Sequence, residues 1–364
     1  MRILFVANKD ITLFLFRREL IEKLIDLHHE IYLLCPYGEK LEYFENKGCK
    51  LFDYAIDRKG VNPFKEIKVL FRFLKAIKKI NPDYIFTYTI KPNIYVGIIS
   101  RFKRIDFIPT ITGLGRAFNG ESINETFIHV LYKISFKNAY TVVFQNSFIK
   151  NWFFEKINKK VPTLLVNGSG VNLLDYQYES FNESKKTTFL YLGRIMREKG
   201  IDELISAAKL LKENYGKGVS IQIAGFHEEG YEKIIETLQK QEIIEYLGYL
   251  ENPIEAIKNC SSIVLPSYHE GLSNVLLEAQ AVGRPVIASN IPGCKETFID
   301  GVSGFSVRVK DFMNLYENMK KYHLLPFKDK QKMGIEGRHY IETNFNRNEI
   351  VDQYIGIISR RIKI

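Results

Sequence analysis

Two acidic residues stand in the stretch SYHEGLSNVLLEAQAVGRPVIASN (267–290): Glu270 and Glu278, with seven residues between them. Carboxylates seldom enter apolar surroundings without a partner. A carboxylate only accepts hydrogen bonds, so the vicinal hydroxyls of a sugar or ribose are natural partners. An ordinary charge favouring a helix dipole could explain Glu270. It does not explain Glu278, which sits among Val275, Leu276, Leu277, Ala279 and Ala281. A second group lies upstream in YLGRIMREKG (191–200), where Gly193 permits a sharp turn and Arg194 and Lys199 follow. A planar guanidinium fork and a point charge together suit a diphosphate. A solvated basic loop is the other reading of those two residues.

These groups need elements to hold them. SSIVLP is expected to end a strand at Pro266, SYHEGLSN to form a loop, and Ser273 or Asn274 to cap a helix. The N–H groups of Leu272, Ser273 and Asn274 would then be free for anionic oxygens. The wider chain supports this. Short apolar runs at 2–7, 30–35, 83–89, 107–112 and 141–145 read as buried strands, with helices at 11–27, 63–80, 92–103 and 122–138 between them. The alternation implies a parallel sheet covered on both faces. It repeats with strands at 187–193, 219–225, 261–267, 284–289 and 303–307, and helices at 200–214, 231–241, 274–282 and 311–322. The fold class is therefore α/β with two doubly wound, Rossmann-like units. The join is expected in the polar stretch 175–187, dividing 1–174 from 175–345, and a last amphipathic helix within 346–364 is expected to cross back. Ligands of doubly wound sheets lie beyond the carboxyl ends of the strands. Two such units facing one another would share a cleft.

Composition limits the alternatives. With 46% apolar and 26% charged residues the 364-residue chain has a globular balance. The four cysteines are scattered with no CxxC pair, so a disulfide framework or zinc site is not expected and a reducing cytoplasm fits. No apolar run reaches the ~20 residues of a spanning helix. The net charge of +10 suggests an anionic partner: phosphates, nucleic acid or a lipid surface.

GRIMREKG followed by EGLSNVLLEA resembles the paired signature of glycosyltransferase family 4, retaining enzymes of the GT-B fold, and the likeness runs along nearly the whole chain. The resemblance implies that Arg194 and Lys199 bind a donor diphosphate, that Glu278 holds the nucleotide ribose, and that Glu270 lies by the donor sugar. Gly193, Gly271, Leu272, Ser273 and Asn274 complete the implied donor site. Arg194, Lys199 and Glu270 are the residues expected to serve catalysis. A UDP-sugar is the implied co-substrate. No Asp-x-Asp motif stands in a suitable loop, so no metal and no other cofactor is expected.

The chain departs from that family in its first loop. ANKDITLFLFRREL has no glycine, and Asn8, Lys9 and Arg17 are the polar residues it makes available to a ligand; Arg17 is a candidate for an acceptor phosphate. Gly113, Gly115 and Arg116 in TITGLGRAF form a second candidate surface, although a structural turn explains two nearby glycines equally well. TYTIKPNIYVG, ITGLGRAF and NGSGVN resemble the branch that extends sugars on undecaprenyl diphosphate, which offers Lys91 to an acceptor diphosphate. The implied acceptor is a polyprenyl-diphosphate-linked glycan, and the implied location is the inner face of the cytoplasmic membrane. The basic amphipathic helix within 62–80 could lie on anionic lipid; alternatively its apolar face, Ile67, Leu70, Phe71, Leu74 and Ile77, packs on the sheet. The rivals are a UDP-sugar epimerase of the same architecture, a nucleotide-sugar sensor without activity, and a basic nucleic-acid-binding protein. The last has no supporting motif, so no nucleic-acid partner is expected.

Overall fold

The computed structural model describes residues 1–54, 63–103, 105–113, 123–157, 160–180, 183–184 and 186–359. The chain divides into two units, Met1–Ser169 with Arg347–Ile364, and Gly170–Asn346.

The first unit alternates strand and helix: β1 (Arg2–Val6), α1 (Asp10–Asp26), β2 (Glu30–Leu34), α2 (Leu41–Asn46), β3 (Lys50–Phe52), α3 (Pro63–Ile80), β4 (Tyr84–Tyr88), α4 (Ile90–Lys103), β5 (Asp106–Ile111), α5 (Ile123–Ser135), β6 (Val142–Phe144), α6 (Ser147–Lys156) and β7 (Thr163–Leu165). Among the described residues its strands form one parallel sheet in the order β3-β2-β1-β4-β5-β6-β7. β4 is buried at every position, as a central strand covered on both faces must be. The order reverses direction between β1 and β4, which opens a crevice at their carboxyl ends.

The second unit runs β8 (Thr187–Leu192), α7 (Ile201–Tyr215), β9 (Val219–Ala224), α8 (Glu232–Lys240), β10 (Glu245–Tyr246), α9 (Ile254–Asn259), β11 (Ser262–Leu265), α10 (Asn274–Val282), β12 (Val286–Ser289), β13 (Gly304–Val307), α11 (Phe312–Leu324) and α12 (Phe327–Asn344). Its described strands are parallel in the order β10-β9-β8-β11-β12-β13, with the reversal between β8 and β11. α13 (Arg347–Ser359) closes the described chain. It belongs to the first unit, where Ile350, Val351, Tyr354, Ile357 and Ile358 join the hydrophobic core. Arg347 fixes its start through Glu19 at 3.1 Å and the carbonyls of Leu15 and Ser169.

The break between units comes earlier than the polar stretch 175–187. Val171 donates to the Phe345 carbonyl and packs with Leu272, Leu277 and Ile341; Glu179 donates to the Val282 carbonyl. The residues just before and within that stretch are therefore strapped to the second unit. The face of α3 also differs from expectation. Val69, Phe73, Ile77 and Ile80 are buried, whereas Ile67 and Phe71 are exposed. The inner stripe is rotated away from the one that hydrophobicity alone selects.

Candidate active site

The reversal in the second sheet sets the loop after β8 beside the loop after β11. Three backbone contacts seal them. Gly200 ends the 3-10 turn Arg197–Lys199 with φ +71°, and a Cβ there would lie 2.0 Å from the Pro266 carbonyl oxygen. Only glycine tolerates both the left-handed backbone and the close approach. Tyr268 donates its N–H to the Glu198 carbonyl at 2.9 Å. From the loop after β12, Gly293 with φ +89° presses on the Glu270 and Gly271 carbonyls, each 2.6 Å from a would-be Cβ.

This sealing brings Lys199 and Glu270 together. Lys199 Nζ lies 2.5 Å from Glu270 Oε1, and the Ser267 hydroxyl donates to the same oxygen at 2.8 Å. Both charged side chains are largely covered, and charge-assisted bonds are the strong kind. Arg194 stands across the same loop, exposed, with only a long 3.9 Å approach to Glu228. The Tyr191 hydroxyl holds the Arg194 carbonyl at 2.7 Å, fixing the backbone while the guanidinium reaches outward. Tyr268 donates to Glu203 Oε1 at 2.7 Å. Burial, and then that carboxylate, push its phenol up. Tyr268 thus stays a neutral strut between the β11 loop and α7.

α10 carries the rest. Its half-buried positions are Asn274, Val275 and Glu278, spaced as one helical face, and its other residues are buried. Glu278 therefore shares a side with the helix N-terminus. Asn274 Oδ1 is buried with no hydrogen-bond partner among the described residues. Two expectations need correction here. The Ser273 N–H is not free, because it donates to the Gly293 carbonyl at 2.8 Å. Ser273 is the N-cap by backbone position, but its hydroxyl makes no capping bond. The Leu272 side chain sits in the core with Val171 and Leu277. Gly193 and Gly271 are half-buried at the loop rims. Among the described residues no group of three or more His, Cys, Asp or Glu could hold a metal ion.

In the first unit Asn8 and Lys9 follow β1, at the sheet reversal, and Gly113 follows β5. Gly115 and Arg116 lie outside the described residues. Arg17 does not reach a surface. It is buried, donates to the Phe16 carbonyl and the Ser169 hydroxyl, and stacks 4.5 Å from the Tyr88 ring. It is a structural cation held by aromatic faces. Lys91 is engaged by Glu66 at 2.7 Å, and the Tyr95 hydroxyl donates to the same carboxylate. Thr89, between β4 and α4, has φ +74°, a rare backbone for a β-branched residue.

Sequence reasoning missed Ser267, Tyr268 with Glu203, and Gly293. The signal for Gly293 was present: IPG comes in the loop just after a strand, as GR and HEG come in theirs.

Comparison with known proteins identifies the two units. Residues 2–146 match the glycosyl transferase 4-like family model, and residues 176–340 match the glycosyl transferases group 1 model. The chain thus carries a glycosyl transferase 4-like domain followed by a glycosyl transferases group 1 domain, and its fold is GT-B. One relative is N,N'-diacetylbacillosaminyl-diphospho-undecaprenol alpha-1,3-N-acetylgalactosaminyltransferase of Campylobacter jejuni, 26% identical over the full length of both chains. Another is the capsular polysaccharide biosynthesis glycosyltransferase CapM of Staphylococcus aureus, 24% identical, covering 92% of this chain and 90% of that one. Among solved structures, sucrose-phosphate synthase from Thermosynechococcus elongatus superposes with TM-score 0.79 at 19% identity, covering 100% and 99% of the two chains. Anabaena HepE in complex with UDP-glucose gives 0.79 at 15%, covering 99% and 100%.

Proposed function

We propose that this glycosyltransferase moves a hexose or N-acetylhexosamine from a UDP-sugar to a polyprenyl-diphosphate-linked glycan, with retention of anomeric configuration and without a metal. The observation that carries the reading is the joint placement of Lys199, Arg194, Glu270 and the Glu278 face of α10 at the sheet reversal of the second unit. The two cations stabilise charge growing on the departing diphosphate, the role a metal fills elsewhere. The α10 N-terminus adds oriented amides. Glu278 accepts from ribose hydroxyls, and Glu270 orients the donor sugar while holding Lys199. The first unit carries the acceptor, with Asn8, Lys9 and the Gly113 turn as its candidate surface. A UDP donor is supported by the solved UDP and UDP-glucose complexes of a fold relative. The acceptor class is supported by the name of the full-length relative acting on a diphospho-undecaprenol. No helix among the described residues is long and apolar enough to cross a membrane; a peripheral place on the inner face of the cytoplasmic membrane follows from the proposed lipid acceptor.

The test is a screen of UDP-sugars against polyprenyl-diphosphate acceptors with a chelator present, reading the product's anomeric configuration. Glycolipid formation that survives chelation is the expected result. Formation of a new UDP-sugar without acceptor would instead establish the epimerase. Independently, Glu278→Ala should weaken UDP binding about tenfold or more, the scale of a hydrogen bond to a charged group. Unchanged UDP affinity by isothermal titration would remove the ribose assignment.

A further inference from the structure

Gly293 makes contacts on three sides. Its Cα lies against the Glu270 and Gly271 carbonyls, its own carbonyl accepts the Ser273 N–H at 2.8 Å, and its N–H donates to Glu296 Oε2 at 2.7 Å. One residue thus meets the loop that carries Glu270, the first turn of α10, and a carboxylate outside the candidate site. A glycine at φ +89° has no side chain to hold it and readily changes conformation. Its position must therefore be set by those partners.

Glu296 is suited to set it. It stands in the 3-10 turn Lys295–Thr297, whose backbone is fixed from two helices: the Tyr340 hydroxyl of α12 donates to the Glu296 carbonyl at 3.0 Å, and the Gln280 amide of α10 donates to the Thr297 carbonyl. Glu296 is half-buried, and among the described residues no Lys, Arg or His lies within ion-pair reach of it. A charged acceptor on a backbone N–H makes a strong hydrogen bond. Cys294, between Gly293 and the turn, is fully buried within electrostatic reach of Glu270, Lys199 and Glu296, which places all three in one neighbourhood. We infer that Glu296 is a positioning residue: it pins Gly293, and Gly293 sets the Glu270 carboxylate and the α10 N-terminus relative to Lys199. The inference rests on the donor-site reading above and adds to it a group that touches no substrate.

The experiment compares Glu296→Ala and Glu296→Gln in the full chain, each alone and combined with Glu270→Gln. Two quantities are read: steady-state transfer from the UDP-sugar that the parent accepts, and amide hydrogen exchange across 267–278 with no substrate present. Glu296→Ala should lower kcat about tenfold or more, the scale of a lost hydrogen bond to a charged group, with a smaller change in KM. Glu296→Gln keeps an acceptor oxygen and should lose about threefold at most, the bond being weakened rather than removed. In the Glu270→Gln background Glu296→Ala should cost little more, because the carboxylate it positions is already gone. Exchange across 267–278 should quicken in Glu296→Ala by more than exchange in β11 and β12. Parental kinetics in Glu296→Ala overturn the assignment, as does the full loss persisting in the Glu270→Gln background. Exchange that is unchanged at 267–278, or that quickens equally throughout the second unit, overturns it too and leaves Glu296 a purely structural residue. Absence of transfer by the parent from any UDP-sugar would refute the donor reading instead, and the exchange result would still decide whether Glu296 pins the Glu270 loop.

Discussion

Lys199 Nζ sits 2.5 Å from Glu270 Oε1, although the two residues are 71 positions apart in the chain. The cation offered to a diphosphate is therefore already half-compensated by the carboxylate beside it. Nucleotide binding must share or displace that carboxylate, which also repels the incoming anion. Glu270→Gln keeps the shape and removes the charge. We expect UDP to bind that variant more tightly, by about threefold to tenfold, the scale of a partly screened ion pair. Turnover should fall, since the donor sugar loses its orienting acceptor. Calorimetry with UDP checks the first part, and weaker binding by Glu270→Gln would show that the carboxylate acts with the nucleotide rather than against it.

Removal of the cations tests the leaving-group role. Lys199→Ala should lower kcat by about 10²–10³, as loss of one preorganised stabiliser of developing charge does elsewhere. Arg194→Ala should act in the same direction. Because Arg194 is exposed and only loosely approached by Glu228, its replacement should leave stability within about 0.5 kcal/mol. Steady-state kinetics with thermal melts separates the effects, and near-normal kcat/KM in both variants would end the electrostatic account.

The cysteines give a check that does not involve substrate. Cys35, Cys49, Cys260 and Cys294 are all buried free thiols. Burial pushes Cys35, Cys49 and Cys260 up to about 12, and Cys294 well above its ordinary range. The thiolate is the reactive form, so Ellman's reagent at pH 8 should leave the native protein unmodified and modify all four cysteines after unfolding in guanidinium. The same shift has a stability consequence. A group whose pKa is raised by folding stabilises the fold below its unfolded value and loses that contribution as pH climbs, here from about 9 toward about 12. Rapid native labelling of any thiol would contradict its placement.

The alternation of apolar runs and amphipathic stretches was enough to read the buried strands and the helices that cover them. It failed where burial is carried by few or small side chains. The long helix α12 buries Met333, Gly334, Gly337 and Ile341, and two of those four have no side chain for a hydrophobic pattern to register. The edge strands β3, β7 and β10 have only two or three residues each, too short for either period. At the candidate site, the position of Arg194, Lys199 and Glu270 in loops after strands was legible, because such loops are where a doubly wound sheet works. That Lys199 touches Glu270 was not legible. The contact exists because β8 neighbours β11, a pairing that only the assembled sheet order supplies. Arg17 was misplaced for a related reason: an arginine early in the chain reads as exposed until Tyr88 and Tyr354, far along the sequence, close over it.

Gly200 is where the geometry of the site is most exposed to a single methyl group. Its φ of +71° costs an L-residue about 1 kcal/mol or more. A Cβ would also stand 2.0 Å from the Pro266 carbonyl oxygen, a backbone atom at the end of β11 that cannot swing aside like a side chain. Gly200→Ala must therefore push the β8 loop off the β11 loop, at a cost of about 3 kcal/mol in all. For a unit of this size that lowers the melting temperature by on the order of 10 °C. It should also separate Lys199 from Glu270, so the remaining folded enzyme loses turnover at temperatures well below its melt. Differential scanning calorimetry and rates measured at low temperature distinguish the two effects. A variant that melts like the parent and turns over normally would mean that the two loops are not sealed at this point.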